Sequence, residues 1–119
     1  MRRRVLVVDD EEAVRYVLED SLGEVYEVSG ADNGAGALGK LDGFRPDVVL
    51  VDFNMPGGGG VRAANEIRAV NPDVRLVAIS ADTSQSAMFD MSRAGAVGYL
   101  VKGASDEEIV RVIRSAARF

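Results

Sequence analysis

The chain has 119 residues and a formal net charge of −5, with 47% hydrophobic and 28% charged residues. This length and balance predict one ordered domain over residues 1–119, and the negative charge argues against direct binding to nucleic acid. The absence of cysteine and histidine excludes disulfides, thiolate catalysis, imidazole bases and the usual zinc ligands.

Short β-branched runs alternate with helical patterns along the chain, which predicts βαβ units and a parallel sheet. The predicted strands are Arg4–Val8, Tyr26–Ser29, Asp47–Asp52, Val74–Ser80 and Val97–Val101. The predicted helices are Glu12–Leu22, Gly34–Leu41, Val61–Val70, Ser84–Ala94 and a fifth that is capped by Ser105 and ends near Ala117. Right-handed crossovers then give a doubly wound (βα)5 three-layer α/β sandwich. None of the apolar runs could cross a membrane or serve as a signal peptide, so we expect a cytoplasmic protein without membrane contact.

Two segments are poorly specified because they are rich in glycine. The predicted helix Gly34–Leu41 contains three glycines, each of which costs about 1 kcal/mol relative to alanine, so we expect a weak or frayed helix. The four glycines Gly57–Gly60 impose no preferred backbone shape, which predicts a mobile loop after the third strand.

Polar side chains stand at the ends of four predicted strands. Asp9 and Asp10 follow the first strand, Asp52 and Ser80 end the third and fourth, and Lys102 follows the fifth. Each has an ordinary interpretation as a turn, cap or strand end, but ligands of open parallel sheets bind at this edge, so the combination predicts a site. Three adjacent carboxylates repel one another, and without a cation at least one pKa should rise. Since only oxygen ligands are on offer, the expected cation is Mg²⁺.

Four segments together resemble a known family. They are Val5–Glu12 (VLVVDDEE), Val48–Pro56 (VVLVDFNMP), Leu76–Ala81 (LVAISA) and Gly98–Gly103 (GYLVKG). In order and spacing they resemble the receiver domains of bacterial two-component response regulators, over essentially the whole chain. The resemblance implies a flavodoxin-like fold with five parallel strands in the order 2-1-3-4-5. It also implies a phosphoacceptor domain that serves a sensor histidine kinase or phosphotransfer protein, and that catalyses only its own phosphorylation and dephosphorylation.

The resemblance assigns roles to the acidic positions. Asp52 would accept the phosphoryl group. Asp9, Asp10, Asp52 and the backbone carbonyl of Asn54 would bind Mg²⁺, with Asp10 the more direct ligand of the acidic pair. These roles agree with the chemistry, because a carboxylate that attacks phosphorus needs the charge of the donor neutralised.

The resemblance also assigns roles around the phosphoryl group. Ser80 would donate a hydrogen bond to it, and Lys102 would pair with it. Ser80 and Tyr99 would act as switch residues that alter the surface of the fourth helix, fifth strand and fifth helix, and thereby an output domain, a partner or self-association. Asn54 and Asp82 would tune the lifetime of the phosphorylated state.

Two exposed aromatic residues are candidate partner contacts. Phe89 points away from the apolar stripe of the predicted fourth helix, and we interpret it as a partner or dimer contact, although single exposed apolar residues are common. Tyr16 lies opposite the apolar face of the first helix and is a candidate for kinase docking.

The chain departs from the family pattern at Gly103, where most members carry a proline that is often cis. A cis bond before a residue other than proline costs about 3–4 kcal/mol, so we expect a trans bond or one that can switch. The segment Tyr99–Ser105 resembles receivers that precede helix-turn-helix output domains, so the chain is either a stand-alone receiver or part of a longer regulator.

Two other functions compete with the phosphoacceptor interpretation. A degenerate receiver would act as a binding or dimerisation module without phosphorylation, but no active-site residue type is missing here. An enzyme on a similar fold would show a D-x-D motif or a phosphate-binding loop after the first strand, and the chain has Asp9-Asp10-Glu11 there instead.

Overall fold

The computed structural model describes residues 2–117. Its strands are β1 (Arg4–Val8), β2 (Glu27–Ala31), β3 (Val48–Asp52), β4 (Arg75–Ser80) and β5 (Ala96–Val101). Its α-helices are α1 (Glu12–Gly23), α2 (Gly34–Phe44), α3 (Gly59–Val70), α4 (Gln85–Arg93) and α5 (Asp106–Ala116). A single turn of 3₁₀ helix, Pro56–Gly58, lies between β3 and α3. The strict alternation of strand and helix is as predicted.

The five strands form one parallel sheet in the order β2-β1-β3-β4-β5, which confirms the predicted fold. In register, Val8 of β1 lies beside Val51 of β3, and Ser80 of β4 lies beside Val101 of β5. The strands therefore finish at a common edge, and the polar residues that end or follow them are brought together there.

Two apolar cores lie on opposite faces of this sheet. Alternate residues of the central strands pack on one face against α1 and α5, and the remainder pack on the other face against α2 and α3. Every residue of β3 is buried as a result. Strands covered by helices on both faces carry continuous apolar runs, which is why β1 and β3 were recognisable from the sequence.

Helix α2 is longer than the sequence pattern predicts. It continues to Phe44, three residues past the predicted end at Leu41, and Leu41 itself is buried against α3 and the sheet. Asn33 caps its first turn, and Arg45 ends it in a left-handed conformation with φ of 54°. Capping and packing therefore outweigh the low helix propensity of its glycines.

The prediction of a loop over Gly57–Gly60 was wrong for its last two residues, because Gly59 and Gly60 begin helix α3. Gly60 is buried, and a Cβ atom added there would lie 2.5 Å from both the Asp52 carbonyl oxygen and the Phe53 Cα. Glycine at position 60 therefore lets α3 start directly against the end of β3. Mobility of the preceding turn stays a prediction.

Within residues 2–117, no helix has the length and apolar character needed to span a bilayer.

Candidate functional site

The carboxyl edge of the sheet holds three buried polar side chains. Asp9 and Asp52 are fully buried and Ser80 is 3% exposed, and no other polar side chain is buried in the described part of the chain. They end or follow three adjacent strands, β1, β3 and β4. A fold that buries polar groups in one place and nowhere else concentrates its chemistry there, because such groups are costly to remove from water.

An acidic cluster surrounds these residues. One carboxylate oxygen from each of Asp9, Asp10, Glu11 and Asp52 lies within 4.8 Å of the others. Asp10 and Glu11 are exposed, whereas Asp9 and Asp52 form the floor. The first three are consecutive in the chain and lie between the end of β1 and the start of α1 at Glu12. The structure therefore brings the predicted acidic residues together and adds Glu11, which the sequence interpretation had not assigned to the site.

The ionised form of Asp9 is destabilised by its position in this cluster. Its Oδ1 accepts a hydrogen bond from the Glu11 backbone N–H at 2.9 Å, but its Oδ2 is buried without a hydrogen-bond partner. Burial, followed by the charge of Asp52, raises the pKa of Asp9 to about 6, which confirms the predicted rise. An unpartnered buried oxygen among carboxylates, with hard oxygen donors around it, fits a divalent cation such as Mg²⁺.

Lys102 supplies positive charge to the same edge. Its Nζ lies 3.2 Å from Asp52 Oδ2 and 3.5 Å from Glu11 Oε1. Its backbone N–H donates to the Ser80 carbonyl at 3.0 Å, which fixes the turn after β5 against β4. Burial lowers the pKa of the Lys102 ammonium, but the hydrogen bond and charge of Asp52, with the charges of Asp9 and Glu11, raise it overall.

Asn54 links the acidic floor to the loop after β4. Its backbone N–H donates to Asp52 Oδ1 at 2.8 Å, and its side-chain Oδ1 accepts from the Ala81 backbone N–H at 2.9 Å. Both carboxylate oxygens of Asp52 therefore have a donor, one from Asn54 and the other from Lys102. The role predicted for the Asn54 carbonyl as a metal ligand stays a prediction.

A chain of hydrogen bonds connects Ser80 to the start of helix α4. Ser80 Oγ accepts from the Asp82 N–H at 3.0 Å, Asp82 Oδ1 accepts from the Ser84 N–H at 2.9 Å, and Ser84 Oγ accepts from the Ala87 N–H at 3.1 Å. The hydrogen bonds from Ser84 hold the pKa of Asp82 below its usual value. The predicted switch and lifetime residues thus lie on one continuous segment that leads into α4.

Three aromatic residues predicted to act at the surface lie away from the acidic cluster. Tyr99 is 46% exposed and lines a groove of about 470 Å³ between α4, β5 and α5. Phe89 is 62% exposed on α4, where the Arg93 guanidinium lies over its ring, and Tyr16 is 72% exposed on α1. The predicted exposure of Phe89 is confirmed, while the partner roles of Phe89 and Tyr16 stay predictions.

The turn after Lys102 is built on a glycine conformation. No cis peptide occurs in residues 2–117, so the Lys102–Gly103 bond is trans. Gly103 has φ of 91°, a value that side chains of L-amino acids rarely adopt and that the proline ring forbids. The departure from the family pattern at this position therefore has a backbone reason.

Comparison with known proteins identifies similar chains. A family model described as "Response regulator receiver domain" matches residues 5–114. The response regulator GacA of Pseudomonas viridiflava is 39% identical over 114 residues, which cover 93% of this chain and 53% of GacA. The chemotaxis protein CheY of Thermotoga maritima is 32% identical over 120 residues, which cover 99% of this chain and all of that protein.

Solved structures agree with the sequence comparison. The chemotaxis protein CheY4 of Vibrio cholerae superposes with a TM-score of 0.91 at 28% identity, over 98% of this chain and 99% of CheY4. The chain spans about half the length of the first curated relatives that it matches, which are GacA proteins, but the whole length of T. maritima CheY.

Proposed function

Because this chain belongs to the receiver domains of two-component response regulators, we propose that it accepts a phosphoryl group on Asp52. The donor is a phosphohistidine of a sensor histidine kinase or phosphotransfer protein. One observation carries the proposal: the fully buried Asp52 carboxylate lies among three further carboxylates and is hydrogen-bonded to the Lys102 ammonium. A buried carboxylate is costly to remove from water, so its presence here points to a chemical role.

The chemistry is a transfer between two covalent partners. A carboxylate oxygen of Asp52 forms a bond to phosphorus while the bond from phosphorus to the histidine nitrogen of the donor breaks. That nitrogen keeps the electron pair, and Asp52 becomes an acyl phosphate that water can later hydrolyse. The Lys102 Nζ lies 3.2 Å from Asp52 Oδ2, close enough for the ammonium to stabilise the negative charge on the phosphoryl oxygens. The domain acts only on itself and is not an enzyme in the usual sense.

A divalent cation belongs to this proposal. Asp9, Asp10, Asp52 and the Asn54 carbonyl would hold Mg²⁺. When bound, Mg²⁺ neutralises charge on the phosphoryl oxygens and so lowers the barrier to attack. The unpartnered Asp9 Oδ2 supports this assignment, because a cation would give that oxygen the partner that it lacks.

The signal leaves the site through Ser80. Its hydroxyl accepts a hydrogen bond from the Asp82 N–H in this structure, and it would turn to donate to a phosphoryl oxygen. That turn removes the first acceptor of the hydrogen-bond chain into α4, and Tyr99 would move into the space left behind. We propose that the surface of α4, β5 and α5 changes as a result, and that an output domain, a separate partner or a second copy recognises it.

Asn54 and Asp82 would set the lifetime of the acyl phosphate. Both side chains belong to segments that approach Asp52, one through a backbone bond to Asp52 Oδ1 and the other through Ser80. From these positions they would place or exclude the attacking water. A cytoplasmic location and the absence of direct nucleic-acid contact stay predictions.

The test is the mass of the intact protein after incubation with acetyl phosphate, with and without Mg²⁺. We expect a gain of one phosphoryl group that requires Mg²⁺, is lost in Asp52→Asn and is kept in Asp42→Asn, a matched variant on the exposed face of α2. A gain that persists in Asp52→Asn would place the site elsewhere. No gain from acetyl phosphate or from a phosphorylated kinase would indicate a degenerate receiver that acts by binding alone.

A further inference from the structure

Glu11 has an unusual position for a residue at the start of a helix. It is the N-cap of α1, but its side chain makes no capping hydrogen bond to that helix. Its Oε1 instead lies 3.5 Å from Lys102 Nζ, across a separation of 91 residues, and one of its oxygens belongs to the acidic cluster. Its backbone N–H is bonded to Asp9 Oδ1, which fixes where the side chain starts.

The physical problem at this site is that two positive groups share one carboxylate. Lys102 is bonded to Asp52 Oδ2, and under the proposed function the same Asp52 also binds a divalent cation. An ammonium and a dication so close together repel each other, and this repulsion weakens binding of the cation. Asp9 cannot relieve the repulsion at the outer side of Lys102, because Asp9 lies buried on the floor of the cluster.

Glu11 stands where this repulsion can be offset. It contacts Lys102 on the side that faces solvent, whereas Asp52 contacts Lys102 from the interior: the Glu11 side chain is 61% exposed and that of Asp52 is 1% exposed. Independently of Glu11, the buried Asp9 Oδ2 of the same cluster has no hydrogen-bond partner, although Lys102 is present, and this points to a further positive ligand.

We propose that Glu11 is a positioning residue of the cation site: its carboxylate holds Lys102 and supplies the additional negative charge that lets a divalent cation bind beside that ammonium. This inference rests on the proposed function and extends it to a residue that the family resemblance does not assign. Glu11 acts on the affinity for the cation and does not bind the phosphoryl group.

The experiment is a calorimetric titration of the whole chain with MgCl₂ at low ionic strength, where exposed charges are least screened. We expect Glu11→Gln, which keeps the size of the side chain but removes its charge, to raise the Kd for Mg²⁺ by roughly 3- to 10-fold. Glu12→Gln is the matched control, because it removes the same charge one residue away and outside the cluster. It should change the Kd less than about twofold. Glu11→Asp should restore most of the affinity.

The outcomes separate the two proposals. If the wild-type chain binds no Mg²⁺, the proposed function fails together with this inference. If the wild-type chain binds Mg²⁺ and Glu11→Gln does so equally well, or is indistinguishable from Glu12→Gln, only the role of Glu11 is overturned. Circular dichroism of each variant without metal is expected to match the wild type, and a loss of folded signal in Glu11→Gln would assign Glu11 to the fold and overturn the role proposed here.

Discussion

Asp9 is the residue of the acidic cluster whose ionised carboxylate is destabilised when no metal is bound. Its side chain is fully buried, one of its oxygens has no hydrogen-bond partner, and Asp52 is close enough to raise its pKa further. The pKa of Asp9 in the fold is about 6 against an ordinary value of 3.8, so the folded chain holds this proton more tightly than the unfolded chain. The resulting stability is present at low pH and is lost as the pH rises through about 6.

We therefore expect Asp9→Asn to stabilise the metal-free protein by roughly 1 to 3 kcal/mol near pH 8, because the buried charge is removed. Most of the gain should disappear at about pH 4, where wild-type Asp9 is protonated in the folded chain and partly protonated in the unfolded chain. Urea unfolding in the presence of a chelator measures both values. Asp10→Asn is the control, since Asp10 is exposed and its loss should change the free energy of unfolding much less. A gain of the same size at both pH values would contradict this explanation.

Most of the candidate site could be predicted from the sequence. Asp9, Asp52, Ser80 and Lys102 all follow from one rule, that parallel strands present their carboxyl ends at the same edge. Glu11 did not follow from that rule, because no local pattern indicates that a helix N-cap residue turns toward a lysine far along the chain. The available signal was a run of four consecutive acidic residues, Asp9–Glu12, which is equally typical of a solvated helix start.

Helix α2 shows at the level of an element how packing corrects a propensity argument. The glycines of α2 predicted a weak helix, but the apolar residues and caps that extend it to Phe44 could be weighed only with α3 in place. At Gly60 a tertiary contact requires the glycine itself, because a larger residue there would overlap the backbone of Asp52 and Phe53. The low helix propensity of glycine did not indicate that this position belongs to α3. Element boundaries next to glycines were therefore the part of the fold that the sequence predicted least well.

The same substitution should have opposite effects in these two helices. Gly39→Ala should stabilise the protein by about 0.5 to 1 kcal/mol, because nothing lies within 4 Å of the added Cβ and alanine favours the helix. Gly60→Ala should destabilise it by roughly 1 to 3 kcal/mol, because its Cβ would overlap backbone atoms of Asp52 and Phe53. Thermal or urea unfolding of the two variants checks both signs, and equal signs would contradict the structure.

Across the whole molecule, α4 is the helix with the fewest buried residues. Met91 is its one buried residue, and beyond its last turn Arg68 of α3 donates to the Ala94 carbonyl at 3.3 Å. Its first turn is held by Ser84, within the hydrogen-bond chain that leads back to Ser80. One end of α4 is thus bonded to α3, and the other is connected by hydrogen bonds to Ser80.

We expect phosphorylation by acetyl phosphate to change amide hydrogen exchange chiefly in residues 81–101 and much less in residues 12–44. The reason is that, under the proposed function, Ser80 turns to the phosphoryl group and releases the start of α4 while the other helices keep their packing. Exchange mass spectrometry of the wild type and Asp52→Asn, treated alike, measures the difference. A change spread evenly over the chain, or one confined to α1 and α2, would contradict this view of how the signal travels.

The backbone conformation of Gly103 has a stereochemical consequence. Its backbone, with φ of 91°, adopts a form that a mirror-image amino acid takes readily and that an ordinary side chain resists, and no atom lies within 4 Å of an added Cβ. What restricts this position is therefore chirality, not space. A related chain that carries proline at this position must have a different backbone conformation in the loop after its lysine, because the proline ring fixes φ at a negative value. Replacing glycine by proline here would therefore require the whole loop to change its conformation.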